Sequence, residues 1–466
     1  MSILNKIKIK DSVIAKKVIA AGLSAVMIMS MAACGTAAMS GDTSDTESAA
    51  ETEQVQTVES EAGNKTEDVV TTANVTSGGA IDASEIFTDR DLRQTADLTD
   101  AKYYELADGQ DIEITEEGVY VLSGTASNVT VTVDASDDAK VQIVLDGANI
   151  TNESEPAIYV KNADKVFVTT TDSENSLTVT GEFTADGDTN TDAVIFSKDD
   201  LVLNGVGTLN IESTGNGVTS KDDLKITGGT INITSAEDAM EANDSIAACD
   251  GNITINTQKD GFHAENDEND TVGYIYIAGG SYNITAVDDG IQGTTIVQID
   301  GGTFDISAAE GIEGTYVQIN DGNINIESND DGINGSQKSS SVSVAVEING
   351  GEINVNMAQG DTDGIDSNGA LTITGGTVNI TGQSPFDVDG TITFSGGTVT
   401  ENGQEVSEIT NQMMGGGMMG GFGGPRGQMG GMPEGDQNQG GQQGSGGPVQ
   451  GGPGGGFGQG GPGQQG

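Results

Sequence analysis

Between residues 238 and 365 an acid, then Gly or Ala, then an apolar residue recurs six times. The copies are Asp238-Ala239-Met240, Asp260-Gly261-Phe262, Asp289-Gly290-Ile291, Glu310-Gly311-Ile312, Asp331-Gly332-Ile333 and Asp363-Gly364-Ile365. Their central residues lie 22, 29, 21, 21 and 32 positions apart. Out of phase with them runs a second signal, a Gly-Gly turn followed by an alternating strand, as in Gly228-Gly229-Thr-Ile-Asn-Ile and Gly301-Gly302-Thr-Phe-Asp-Ile. A period of 21–23 residues marks a solenoid, in which each repeat buries its apolar face only against its neighbours.

The kind of solenoid follows from what fills the period. The Leu-rich consensus of leucine-rich repeats is missing. Short segments alternate Ile, Val or Phe with Thr, Asn or Ser, and no helix-length apolar pattern occurs between Ile112 and Thr400. Strands without crossover helices must close through tight corners, where Gly and Asn supply positive φ. The expectation is an all-β parallel β-helix of about 13 coils, roughly 60 Å long at strand spacing. The gaps of 29 and 32 then become loops at one corner, near Glu268–Gly273 and Gln337–Val344. The mixed stretch Ile86 to Leu106 is a candidate cap for the open end.

The flanks read differently. Residues 1–34 carry five Lys before the apolar stretch Val18 to Ala33 and end Met31-Ala32-Ala33-Cys34-Gly35. That is a lipoprotein signal peptide with Cys34 as the lipidated residue. An ordinary signal peptide is the alternative, so the protein is expected at the cell surface on a lipid anchor, or secreted. Residues 35–80 lack aromatics and are expected to form a disordered acidic Ser/Thr linker. Residues 81–410 form the β-helix, and 411–466, rich in Gly, Gln, Met and Pro, are expected to be a disordered tail.

Charge narrows the function. The chain carries 72 acids against 18 bases, a formal net charge of −54, and residues 81–410 hold 60 acids against 11 Lys and Arg. Nucleic acid and anionic membrane surfaces are excluded as partners bound by charge. A rod this acidic repels itself, so cations are expected on it. With the apolar residue of each Asp-Gly-Ile corner pointing inward, Glu241, His263, Gln292, Glu313, Asn334 and Asp366 point outward beside the acids. Oxygen-only donors favour Ca²⁺, and the candidate ligands are Asp260, Asp288, Asp289, Glu310, Asp330, Asp331, Asp361 and Asp363. An Asp before Gly that only makes the turn is the competing reading.

Catalytic machinery is sparse. His263 is the single His, and no Arg occurs between Arg93 and Arg426. Lys198, Lys221 and Lys259 each precede an Asp, and Lys259 is the leading candidate base for a calcium-dependent lyase. Tyr274, Tyr276, Tyr282 and Tyr316 are candidate sugar-stacking residues, with packing as the alternative.

The segments Gly118-Val-Tyr-Val-Leu-Ser-Gly, Val141-Gln-Ile-Val-Leu-Asp-Gly-Ala-Asn-Ile and Pro156-Ala-Ile-Tyr-Val-Lys-Asn-Ala-Asp-Lys-Val stand before the Asp-Gly-Ile coils. Together they resemble a clostridial family of extracellular carbohydrate-binding β-helix proteins over roughly residues 85–400. The resemblance implies a right-handed parallel β-helix similar to polysaccharide lyases, with bound calcium and affinity for polygalacturonate or cellulose. Three functions are therefore expected in order: a polysaccharide binder, a calcium-dependent lyase, and a surface adhesin or spacer that binds no sugar.

Overall fold

The computed structural model describes residues 81–411, apart from Asp267 and Asp361. The signal peptide, linker and tail, with Cys34, lie outside the described residues, as does the candidate ligand Asp361. No α-helix occurs among the described residues, and Ala83–Glu85 forms one 3-10 turn.

Three parallel ladders run through the described residues, and each coil contributes one strand to each. In one coil Phe262–Ala264 belongs to sheet III, Tyr274–Ile277 to sheet I and Ser281–Thr285 to sheet II, before Asp289–Ile299 returns to sheet III. Sheet III has twelve rungs among the described residues, from Ile112–Ile114 to Ser384–Val388. This is the parallel β-helix that the period and strand alternation imply. Pairing between coils satisfies the backbone of all but the end rungs.

The core is built from like residues stacked in register. Ile231, Ile253, Tyr282, Phe304 and Ile324 form one row in sheet II. Tyr282 stacks on Phe304 at 4.7 Å between ring centres and meets Phe262 edge-on. On the outer face of sheet II the asparagines bond to one another: Asn354 donates to Asn325 (3.0 Å) and Asn379 to Asn354 (2.9 Å). An amide both donates and accepts, so a row of amides completes itself.

The two glycine signals have different causes. The second Gly of the Gly-Gly turns has positive φ, as at Gly302 (111°) and Gly376 (80°). The Gly of Asp-Gly-Ile does not, contrary to a turn role. A Cβ on Gly311 would lie 2.4 Å from the Gly332 carbonyl oxygen and 2.6 Å from the Ile326 methyl. These corners need glycine because the next coil stacks against the bare Cα.

Only the last part of the segment Ile86 to Leu106 stands at the end of the helix. Residues 81–94 run along the outside of sheet I, where the Ile81 N–H donates to Gln298 and the Gln94 amide to the Thr227 carbonyl (2.8 Å). Asp91, fully buried, sits between Lys165 (3.7 Å) and Lys225 (3.9 Å). The first rung, Lys102–Glu105, stands at the end instead.

Candidate functional site

Sheet III carries the outward chemistry in three parallel rows. The corner row runs Asp238, Asp260, Asp289, Glu310, Asp331, Asp363. Beside it lie the bare positions Ala239, Gly261, Gly290, Gly311, Gly332 and Gly364. Beyond the core row stand Glu241, His263, Gln292, Glu313, Asn334 and Asp366, paired in register through the successive rungs.

The corner acids have a structural task. Asp238 accepts the Asp260 N–H (3.0 Å), Asp260 the Asp289 N–H (2.8 Å), and Asp331 the Asp363 N–H (3.2 Å). Each thereby satisfies the next corner with one oxygen and leaves the other for the strip. These bonds run between coils and not within the acid's own corner.

Those second oxygens converge. Ligand atoms of Asp238, Asp260 and His263 lie within 4.8 Å of one another, as do those of Asp260, Asp288 and Asp289, and those of Asp289, Glu310 and Glu313. Shared members link the three groups into one continuous run. Burial pushes Asp260 up to about 6, with Asp238 and Asp288 adding to it. Burial pushes Glu310 up to about 7, helped by Glu313. Asp289 is raised further by burial and by Asp260, Glu310 and Glu313. These are carboxylates crowded with too little positive charge.

The two ends of the run are compensated differently. At one end burial disfavours the His263 imidazolium, but Asp238 (3.2 Å), Asp260 and Glu265 outweigh it and push its pKa to about 9. Burial likewise works against ionised Asp238, yet His263, the Asp260 N–H and Lys259 hold its carboxyl below the usual range. At the other end Lys338 reaches Glu313 (2.7 Å) from the loop after Gly335. Asn334 donates to Glu310 (2.9 Å) and Glu313 (3.3 Å). Its Oδ1 has no hydrogen-bond partner although the residue is only 7% exposed.

Of the expected ligands, Asp260, Asp288, Asp289 and Glu310 come together. Asp331 and Asp363 continue the row, but neither they nor Asp330 join a group of three within 4.8 Å among the described residues. Burial, then Asp366, raises Asp331 to about 7. Asp238, His263 and Glu313 were not in the expected ligand set, although the first opens the repeat and the others stand in its polar row. A separate group, Asp200, Asp222 and Asp223, lies at the corner into sheet I. Its signal is the twice-written Ser-Lys-Asp-Asp-Leu at 197–201 and 220–224. Lys165 already pairs with Asp200 there (3.0 Å).

The tyrosines are packing residues, a correction to their candidacy for sugar stacking. Tyr282 is in the core and donates to the Gly279 carbonyl (2.6 Å). Tyr274, Tyr276 and Tyr316 are buried with Ile81 and Ile86 where the N-terminal segment crosses sheet I. Lys259 pairs with Asp238 (3.3 Å) and Glu237 (3.7 Å). Burial would lower its pKa, but Asp238 prevails and raises it.

The loops let out at 265–273 and 336–344 meet at one corner, where Ser340 donates to Asp270 (2.7 Å). They stand beside the acidic run and bring Lys338 to it.

The described residues thus form a parallel β-helix with a row of crowded, half-buried to buried carboxylates along one sheet. A family model described as "Carbohydrate-binding domain-containing protein" matches residues 108–361 and again 307–393, and the chain belongs to that family. A protein of Acetivibrio thermocellus with the same description is 36% identical over 124 residues, 26% of this chain and 43% of the relative. The chain thus matches less than half the length of that relative. A solved structure, the polysaccharide lyase-like protein from C. thermocellum as a gadolinium derivative, is 31% identical. It aligns with 48% of this chain and 96% of its own, at a TM-score of 0.44.

Proposed function

We propose that the protein binds acidic polysaccharide of the polygalacturonate kind through Ca²⁺ held on the run from Asp260 to Glu313. We further propose that it works at the cell surface, held by a lipid on Cys34. Family membership supports carbohydrate as the ligand. The observation that carries the rest is the linked set of raised carboxylates, beside which Asn334 keeps a buried amide oxygen without a partner. Hard oxygen donors in this number suit Ca²⁺. Asp260, Asp288, Asp289, Glu310 and Glu313 would hold it, and Asn334 would turn its oxygen toward them. When bound, Ca²⁺ supplies the positive charge that lets an anionic rod hold a uronate chain. Lys338 adds a fixed cation at the edge of the run.

Calorimetric titration of the full chain with hexagalacturonate, with Ca²⁺ and with excess EDTA, tests this while absorbance follows unsaturated product. Binding that needs Ca²⁺ and forms no product is expected. Equal binding in EDTA sinks the bridging idea, product establishes a lyase, and no signal in either channel leaves an adhesin or spacer.

A further inference from the structure

The first half of sheet III continues the same outward rows with different residues. Asp111 and Thr130 stand where the second half has glycine, and Thr132 and Tyr159 stand in the row of Glu241 and His263. Two adjoining clefts open here, of about 210 and 250 Å³. Asp111, Thr130 and Glu155 line both, and so form the divide between them. Each is below the 300–1,000 Å³ of a drug-sized ligand's pocket and suits one sugar ring.

The chain builds one wall on purpose. Residues 180–192 leave sheet II as a long corner loop, and the Asp186–Thr189 bridge folds it back. Asp186 then accepts from Tyr159 Oη (3.1 Å) and Lys161 Nζ (2.8 Å), with Lys161 over the Tyr159 ring. Both polar tips are thereby committed to Asp186, and Tyr159 is 5% exposed, so its ring offers no stacking face.

What remains for a ligand is mostly acceptors. Asp111 spends one oxygen on the Thr130 N–H (2.9 Å). Among the described residues the Glu155 carboxylate and the Thr132 hydroxyl bond to no protein group. Carboxylates cannot donate, so the ligand must. A uronate would meet Asp111, Glu155 and Asp186 with Lys161 already neutralised, and like charge rejects it. A neutral ring presents hydroxyl donors instead.

We propose that these paired clefts take two consecutive neutral sugar residues, held by hydroxyl donation to Asp111 and Glu155 and without a metal ion. The proposal rests on the reading of the protein as a polysaccharide binder, but not on its calcium. It gives one face two subsites of different chemistry in line along the rod.

Calorimetry of the full chain in excess EDTA with cellotriose, xylotriose, mannotriose and trigalacturonate tests it. At least one neutral trisaccharide binds, trigalacturonate does not, and Asp111→Asn with Glu155→Gln weakens the binding tenfold or more. Thr132→Val, which removes only a hydroxyl, weakens it severalfold and serves if the double variant melts early. No binding by any neutral trisaccharide overturns the proposal, as does binding that both variants leave unchanged or that trigalacturonate exceeds. Asp289→Asn separates the two readings: it lowers calcium-dependent binding and leaves the neutral binding intact.

Discussion

The two halves of sheet III share a backbone ladder and differ in how they close the corner before it. In the first half Ala157 donates to the Val194 carbonyl, and Ala157 and Val194 fill the position before the core residue. In the second half Gly217 donates to the Asp238 carbonyl and Gly261 to the Asp289 carbonyl, one residue nearer the corner. That shift places backbone against the Cα of the preceding coil and favours glycine, with Ala239 the one side chain in the row. It also lines up the corner acids, so that Asp238, Asp260 and Asp331 each cap the next one. Crowded carboxylates are thus a consequence of the tighter corner, while the looser first half has room for Thr, Tyr and a folded-back loop. Sheet II shows the neutral counterpart, since its asparagine row satisfies itself and the acid row cannot.

The largest effect comes from forcing the second half to accept the first half's residue. Gly311→Val places a Cβ 2.4 Å from the Gly332 oxygen and is expected to destabilise by about 3 kcal/mol or more in urea unfolding. Val194 occupies the matching position with no exposure, so a neutral result would show the corners to be alike.

The next effect is one of pH. Asp260 at about 6, Glu310 and Asp331 at about 7 and Asp366 at about 6 all lie above the unfolded carboxylate range near 4. Between these values the folded state holds more protons than the unfolded one, so stability falls as pH rises from about 4 to 7. Scanning calorimetry without metal should show a melting temperature several degrees lower at pH 8 than at pH 5. Ca²⁺ should restore more at pH 8, where the carboxylates no longer need to lose protons to bind it. A metal-free protein equally stable at both values would show the acid run to be already neutralised.

The smallest effect sharpens the contrast within the second half. His263→Gln removes the built-in cation from Asp238 and Asp260, and a cost of about 1–3 kcal/mol is expected at pH 7. Lys259 remains beside Asp238, which holds the cost below that of an isolated charge. The loss should shrink above pH 9, where the imidazole is neutral in the folded protein too.

Much of this was legible because a solenoid repeats its geometry. Once Asp260 and Asp289 are corner residues of successive coils, stacking brings them together whatever the rest of the chain does. His263 and Glu313 were harder to place, since each joins a group with one atom from a rung 21 to 25 residues away. Asp288 and Asp330 both precede a corner Asp, yet only Asp288 faces its neighbours closely. No local signal separates them.

Sequence alone determined the period, the strand alternation, the corner acids and the two long loops, because each rests on contacts within a coil or between neighbours. Only the tertiary structure decided what covers the faces. Ile81 and Ile86 meet Tyr274, Tyr276 and Tyr316 across some 190 to 235 residues, and a folded-back loop brings Asp186 to Lys161. Burial by a distant segment leaves no mark in the buried residue's own repeat, so tyrosines that read as available for sugar are closed. The acid run was decided in the same way, since His263, Asn334 and Lys338 reach its oxygens from neighbouring rungs and from a loop.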